Sequence, residues 1–250
     1  MPDFTSTDLK GSRFADVNLA DTRFRSVLLT GATIRGAYAE RLEIDGQIDQ
    51  LFVNGIEVMP LVEAELNRLD PDRVKMRPTD AEGFREAWEI LERRWMETVE
   101  RARRLRPEQV HERVDDEWSI VETLRHLVFA TDAWVLRAML GDPSPWHPLD
   151  LPFDEMPAAP GVPWDREARP SLDEVLDLRA DRQATVRQVL ADLTDDRLAE
   201  MTEPVEGPGW PPAQSFPVGE CLTVVLSEEW EHRRYAERDL DALTDQGRTA

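Results

Sequence analysis

From residue 79 onward, large apolar side chains recur three and four positions apart in four separate stretches, the spacing that lines one face of an α-helix. In the first stretch Phe84, Trp88, Leu91, Trp95, Val99 and Ala102 trace that face, and Thr79 with Glu82 has capping-box spacing. The second opens at WSIVETLRHL, where Ser119 and Glu122 have the same spacing, and carries Ile120, Leu124, Leu127, Thr131 and Trp134. Ser171 and Glu174 open the third, which bears Leu172, Val175, Leu176, Val186 and Leu190. Val218, Leu222, Val225, Ala236, Leu240 and Leu243 mark the last. Helices with one apolar face must bury it against each other. Four of this length predict a mainly α chain with an up-and-down four-helix bundle over residues 79–245, an architecture that places metal and ligand sites between facing helices.

The first 58 residues follow another rule. Phe4, Leu9, Phe14, Leu19, Phe24, Leu29 and Ile34 repeat every five positions, a period that would scatter them around a helix. This segment resembles the pentapeptide-repeat proteins, and the resemblance implies a small β-helix-like unit whose central residues point inward. Seven repeats make fewer than two coils. The even spacing of Leu42, Ile44, Ile48, Leu51, Val53, Ile56 and Val58 predicts short strands that continue the stack. Residues 59–78 read as a short connecting helix and exit turn.

The chain carries 51 acidic and 30 basic residues, a formal charge of -21, which argues against a nucleic-acid partner. Residues 1–50 hold eight acids and six bases, so almost all of that charge lies beyond the repeat. A DNA-mimicking role for the repeat is therefore disfavoured. MPDFTSTDLK has neither the basic start nor the apolar run of a secretory signal, and no segment is apolar enough to span a membrane, so a cytoplasmic location is expected. Cys221, the one cysteine, is read as packing.

Two connections are long and rich in proline. Residues 141–170 hold eight prolines with Trp146 and Trp164, and residues 203–218 hold five with Trp210. They read either as walls of a pocket at one end of the bundle or as rigid packing on the outside of the helices.

The chemistry gathers on the last helix, in LSEEWEHRRYAERDL. With Val225 as the centre of the apolar stripe, His232 lies about 20° to one side, Glu228 about 60° to that side and Glu229 about 40° to the other. A carboxylate near a buried face needs a partner: a cation, a hydrogen-bond donor or a metal ion. Glu228 and His232, four apart, are placed to chelate one ion with a third ligand from another helix. Of the remaining histidines, His111 and His147 fall outside the long helices, which leaves His126 on the second helix.

EWSIVETLRHLVFATDAW and EEWEHRRYAERDL resemble the two signature segments of the DinB-like superfamily, over about residues 80–245. The resemblance implies a four-helix bundle with a divalent metal held by His126, Glu228 and His232, Glu229 being a poorer choice. Glu228 stands where the commonest pattern of that superfamily has histidine. The resulting His, Glu, His set is similar to the mycothiol-dependent maleylpyruvate isomerases. It suits zinc, and also nickel, iron or manganese. The activity implied is a metal-dependent S-transferase or isomerase that activates a low-molecular-weight thiol such as mycothiol toward an electrophilic small molecule, in a superfamily whose members often form homodimers. Two other readings are a metal-dependent hydrolase and a non-enzymatic interaction protein built on the repeat. Arg233, Arg234, Tyr235 and Trp118 flank the site and are read as surface or packing residues.

Overall fold

The computed structural model describes residue 4, residues 7–25 and residues 27–249, with side chains described as far as Thr244. Residues 1–3, 5, 6 and 26 of the predicted repeat segment lie outside this range. The chain divides into two compact units, Met1–Ile48 and Asp49–Ala250.

The first unit carries the five-residue period in its backbone. Left-handed φ values recur at Gly11, Asp16, Asp21, Gly31, Gly36 and Gly46, all separated by multiples of five residues. A turn closes every ten residues, through bonds from Ser12 N–H to Leu9 O (3.0 Å), Thr22 N–H to Leu19 O (3.2 Å) and Ala32 N–H to Leu29 O (2.9 Å). The seven repeat residues from Phe4 to Ile34 are each 40% or more exposed, so they do not form the inward-pointing, buried set expected of them. Fewer than two coils give such side chains no opposing layer on which to close.

The expected strands between residues 42 and 58 reduce to one hairpin, β1 (Phe52–Val53) with β2 (Ile56–Glu57). Asn54 and Gly55 form its turn, both with positive φ (50° and 83°), the two-residue geometry that suits the twist of paired strands. The hairpin belongs to the second unit, whose boundary at Asp49 lies before the expected residue 58. The reason is local: Val58 N–H bonds Leu51 O (2.9 Å), and helix α1 (Met59–Leu69) begins at the next residue.

After α1 and a 3-10 turn at Pro71–Met76 come the long elements: α2 (Ala81–Ala102), α3 (Ile120–Thr131), α4 (Leu172–Ala191) and α6 (Val218–Thr249), with a short α5 (Asp195–Ala199) between the last two. From Asp132 to Met139 the α3 rod continues with π-helical turns. Ser119/Glu122 and Ser171/Glu174 form the expected capping boxes. Helix α2 starts one residue later than Thr79 suggests, because Asp80 accepts the Gly83 N–H and takes the cap.

Helix α2 packs on α4 and α6, and α3 packs on the same two. One core joins Phe84, Trp88 and Leu91 to Val186, Leu190, Leu222, Val225 and Trp230; a second joins Trp95 and Ala102 to Leu124, Val175, Ala236 and Leu240. Every residue of α3 from Ile120 to Thr131 is buried. A helix between two neighbours would show one face to water; here the proline-rich connections cover that face. Arg125, itself buried, donates to Leu149 O (2.7 Å), Asp165 O (2.6 Å) and Ala168 O (3.3 Å), tying residues 141–170 down. Arg137 does the same for both connections through Pro143 O (2.8 Å), Val205 O (2.9 Å) and Gly207 O (2.9 Å). Phe129 stacks on Trp146 at 5.6 Å and Phe153 meets Trp210 edge-on at 5.1 Å. The connections are thus packed layers on the outside of α3, the second of the two readings.

Beneath that layer two acids face each other. Asp132 is fully buried and receives both Nε and Nη2 of Arg182 from α4. Asp150, equally buried, accepts the His147 N–H (3.0 Å) on Oδ2. Burial, together with the neighbouring Asp132, pushes the Asp150 carboxyl up to about 9, so it stays protonated beside its partner at neutral pH. A raised acid binds its proton in the folded chain before the unfolded chain does, so its contribution to stability is whole below about pH 4 and is lost as pH rises toward 9. Asp150→Asn mimics the protonated form at every pH. Its stability advantage over the wild type should grow across that window, to about 1 kcal/mol or more at pH 9, measured by urea denaturation as a function of pH. A difference that does not change with pH would show that Asp150 is ionised throughout.

Candidate metal centre

The predicted ligands arrive from two rods. Helix α3 supplies His126, and α6 supplies Glu228 and His232 from successive turns, the i and i+4 positions that stand one above the other. The structure brings all three together: one ligand atom from each lies within 4.8 Å of the others, and among the described residues this is the one group of three or more histidine, cysteine or acidic side chains so arranged. His126 is buried; Glu228 and His232 are partly exposed, so the site has an open side.

Hydrogen bonds fix where the imidazole protons sit. His126 Nδ1 lies 2.9 Å from Leu151 O, and His232 Nδ1 lies 3.0 Å from Glu228 O one turn earlier and 3.3 Å from Glu228 Oε2. A carbonyl only accepts, so each Nδ1 carries the proton and each Nε2 keeps its lone pair. Histidines that bind metals are oriented in this way by a carbonyl or carboxylate on the other nitrogen. His126 Nε2 then stands 3.2 Å from Glu228 Oε2, one acceptor against another. Such a contact needs a cation, either a further proton on the imidazole or a metal ion. Ligand atoms at about 2.0–2.2 Å from one zinc ion stand about 3.3 Å apart in a tetrahedron, so the observed separation fits a shared ion.

Electrostatics keep the groups ready to bind. Burial pushes the Glu228 carboxyl up, but its contacts with His126 and His232 outweigh this and hold it below the usual carboxylate range. Burial, then the neighbouring His126, push His232 down to about 4, with Glu228 opposing. At neutral pH the carboxylate is charged and His232 is neutral, the forms that bind metals.

Glu229 is not available to the centre. It turns away into a buried pair with Arg179 of α4, at 2.9 and 3.1 Å, and Arg179 lies over the Trp95 ring. Arg233 also points elsewhere, to Glu237 (2.6 Å) and over the Trp230 ring, and Arg234 pairs with Glu231 (2.6 Å). Trp118 does line the site: its ring centroid is 4.7 Å from that of His126 and 6.0 Å from that of His232. Tyr235 meets His232 edge-on at 6.0 Å. His111 and His147 lie outside the cluster. Cys221 is buried beside Ala138 and Phe216, and burial with Glu220 nearby pushes its thiol up to about 12, as befits a packing residue. Sequence reasoning missed the Leu151 carbonyl. A backbone acceptor has no residue type to betray it, although the histidine it serves was legible.

The family model of the DinB superfamily matches residues 90–236, more than half of the chain and all three candidate ligands. The chain belongs to the DinB superfamily. No curated protein and no solved structure gives a match. For a DinB superfamily member, the helical fold and a His/Glu/His group that could hold a metal fit a metal-dependent enzyme. No helix among the described residues is long and apolar enough to cross a membrane.

Proposed function

We propose that the protein is a metal-dependent enzyme that uses a low-molecular-weight thiol, of the mycothiol type, in an S-transfer or isomerisation reaction on an electrophilic small molecule. The observation that carries this reading is the convergence of His126 Nε2 and Glu228 Oε2 on a point that His232 also borders, with the His126 imidazole proton turned away to Leu151 O. Three protein ligands leave coordination positions open, as sites for chemistry do and purely structural sites do not. A divalent ion there, zinc by preference and nickel, iron or manganese by the same donor set, would hold a thiol as its thiolate near neutral pH.

The chain's own residues supply the rest. Glu228 brings the one negative charge of the ligand set, which leaves a divalent centre net positive and able to attract a thiolate. Trp118 and Phe129 flank His126 and shelter it from water on the apolar side. Both features suit a soft, anionic sulfur ligand. The helices are read as an up-and-down four-helix bundle around this site in a cytoplasmic protein. The N-terminal unit, with its five-residue backbone period, is read as a pentapeptide-repeat-like scaffold or dimerisation surface.

Cobalt-substituted protein tests the thiol. Adding mycothiol, or a small thiol such as cysteine or its peptides, should produce a sulfur-to-cobalt charge-transfer band and shift the visible bands. No change with any of several thiols would overturn the thiol reading and favour a hydrolytic use of the same site.

A further inference from the structure

His126 owes its orientation to a chain segment that nothing in the ligand set explains. Residues His147–Leu151 run along α3 and are closed on themselves: Asp150 N–H bonds His147 O (2.9 Å), His147 N–H bonds Asp150 Oδ2 (3.0 Å) and Leu149 N–H bonds His147 Nδ1 (3.1 Å). Two contacts join this turn to the ligand-bearing part of α3. Arg125 Nε donates to Leu149 O (2.7 Å), and His126 Nδ1 donates to Leu151 O (2.9 Å). Between those two carbonyls the chain sends the Asp150 side chain inward to Asp132, which Arg182 grips from α4.

The Asp150 carboxyl is fully buried, and no donor among the described residues reaches its Oδ1. A bare buried carboxylate oxygen beside a second carboxylate would be costly. The cost disappears if Oδ1 carries a hydrogen and donates to Asp132, whose charge Arg182 already balances. A carboxylic acid in that position is a clamp: it accepts from its own turn through Oδ2 and donates to α3 through Oδ1.

We propose that Asp150 is a positioning residue of the metal centre: by a carboxylic-acid hydrogen bond to Asp132 it anchors the turn His147–Leu151, and the Leu151 carbonyl so held selects the Nδ1–H tautomer of His126. The proposal rests on the reading of His126 as a ligand, because only the Nδ1–H tautomer leaves Nε2 free to bind. Asp150 is 24 residues from His126 in sequence and touches the centre through the backbone of its neighbour alone. Outer partners of this kind contribute about 10- to 100-fold to metal affinity.

Nitrogen-15 NMR of the histidine side chains in metal-free protein at pH 8, paired with zinc titration, tests this. Wild-type His126 should show its proton on Nδ1. Asp150→Asn, whose amide can donate to Asp132 and whose oxygen can still accept from His147, should keep both the tautomer and the affinity. Asp150→Leu, or Asp150→Ala should the leucine variant not fold, should give a tautomer mixture and a zinc Kd raised about 10- to 100-fold. A wild-type His126 with its proton on Nε2 overturns the proposal without any variant, and so does an apolar variant with unchanged tautomer and affinity. A tautomer that follows residue 150 in protein that binds no zinc leaves the positioning role standing and removes the metal reading alone.

Discussion

Arg179→Met should lower the unfolding free energy by about 3–5 kcal/mol, the loss expected when one partner of a buried ion pair is removed and the other is left without a counter-charge. Arg179 and Glu229 are almost fully buried, with side chains 5% and 3% exposed, and their two hydrogen bonds are the contacts that Glu229 makes with α4. The penalty comes from the stranded carboxylate more than from the lost attraction. The double variant Arg179→Met/Glu229→Leu should therefore recover most of the loss, since apolar residues of similar volume replace such pairs at little cost. Urea denaturation of the three proteins measures both effects. A single variant within about 1 kcal/mol of the wild type would mean that Glu229 reaches solvent or another cation once Arg179 is gone.

The adjacent glutamates should separate cleanly in metal binding. Glu228→Gln removes the ligand set's one charge and should weaken zinc binding by more than about 100-fold, beyond what outer-shell changes do. Glu229→Gln should leave one equivalent bound, with affinity within about tenfold of wild type, even though the protein is less stable. The geometry behind this is the divergence of neighbouring side chains on one helix: Glu228 Oε2 stands 3.2 Å from His126 Nε2, while Glu229 is held by Arg179 on the other flank. Calorimetric titration of the metal-free variants reads both numbers. Zinc binding that survives in Glu228→Gln and fails in Glu229→Gln would assign the ligand role to the wrong carboxylate.

Much of the helical unit was legible because burial leaves a periodic trace. Phe84, Trp88, Leu91 and Trp95 face the core as their spacing requires, and the serine caps at 119 and 171 sit where the capping boxes place them. His126, Glu228 and His232 were legible for the opposite reason, as polar groups on or beside stripes that should be apolar. What escaped notice depends on distant pairing. Arg179 follows an ordinary helical pattern, and only its position across from Glu229 gives it a role. Asp132 and Asp150 look like surface acids until Arg125 and Arg137 fold the proline-rich connections over them. The repeat misled in one respect. Period five is real in the backbone, yet Phe14, Phe24 and their neighbours remain exposed, because a period specifies direction and only a sufficient number of coils encloses a core.

Two helices, on this reading, hold one divalent ion between His126, Glu228 and His232. Elemental analysis of protein purified without added metal, beside His126→Ala prepared in parallel, tests it most directly. About one equivalent of a first-row divalent metal is expected per wild-type chain, and almost none in a folded His126→Ala chain. Equal metal in both proteins would contradict it, as would a wild-type chain that neither carries nor takes up an ion.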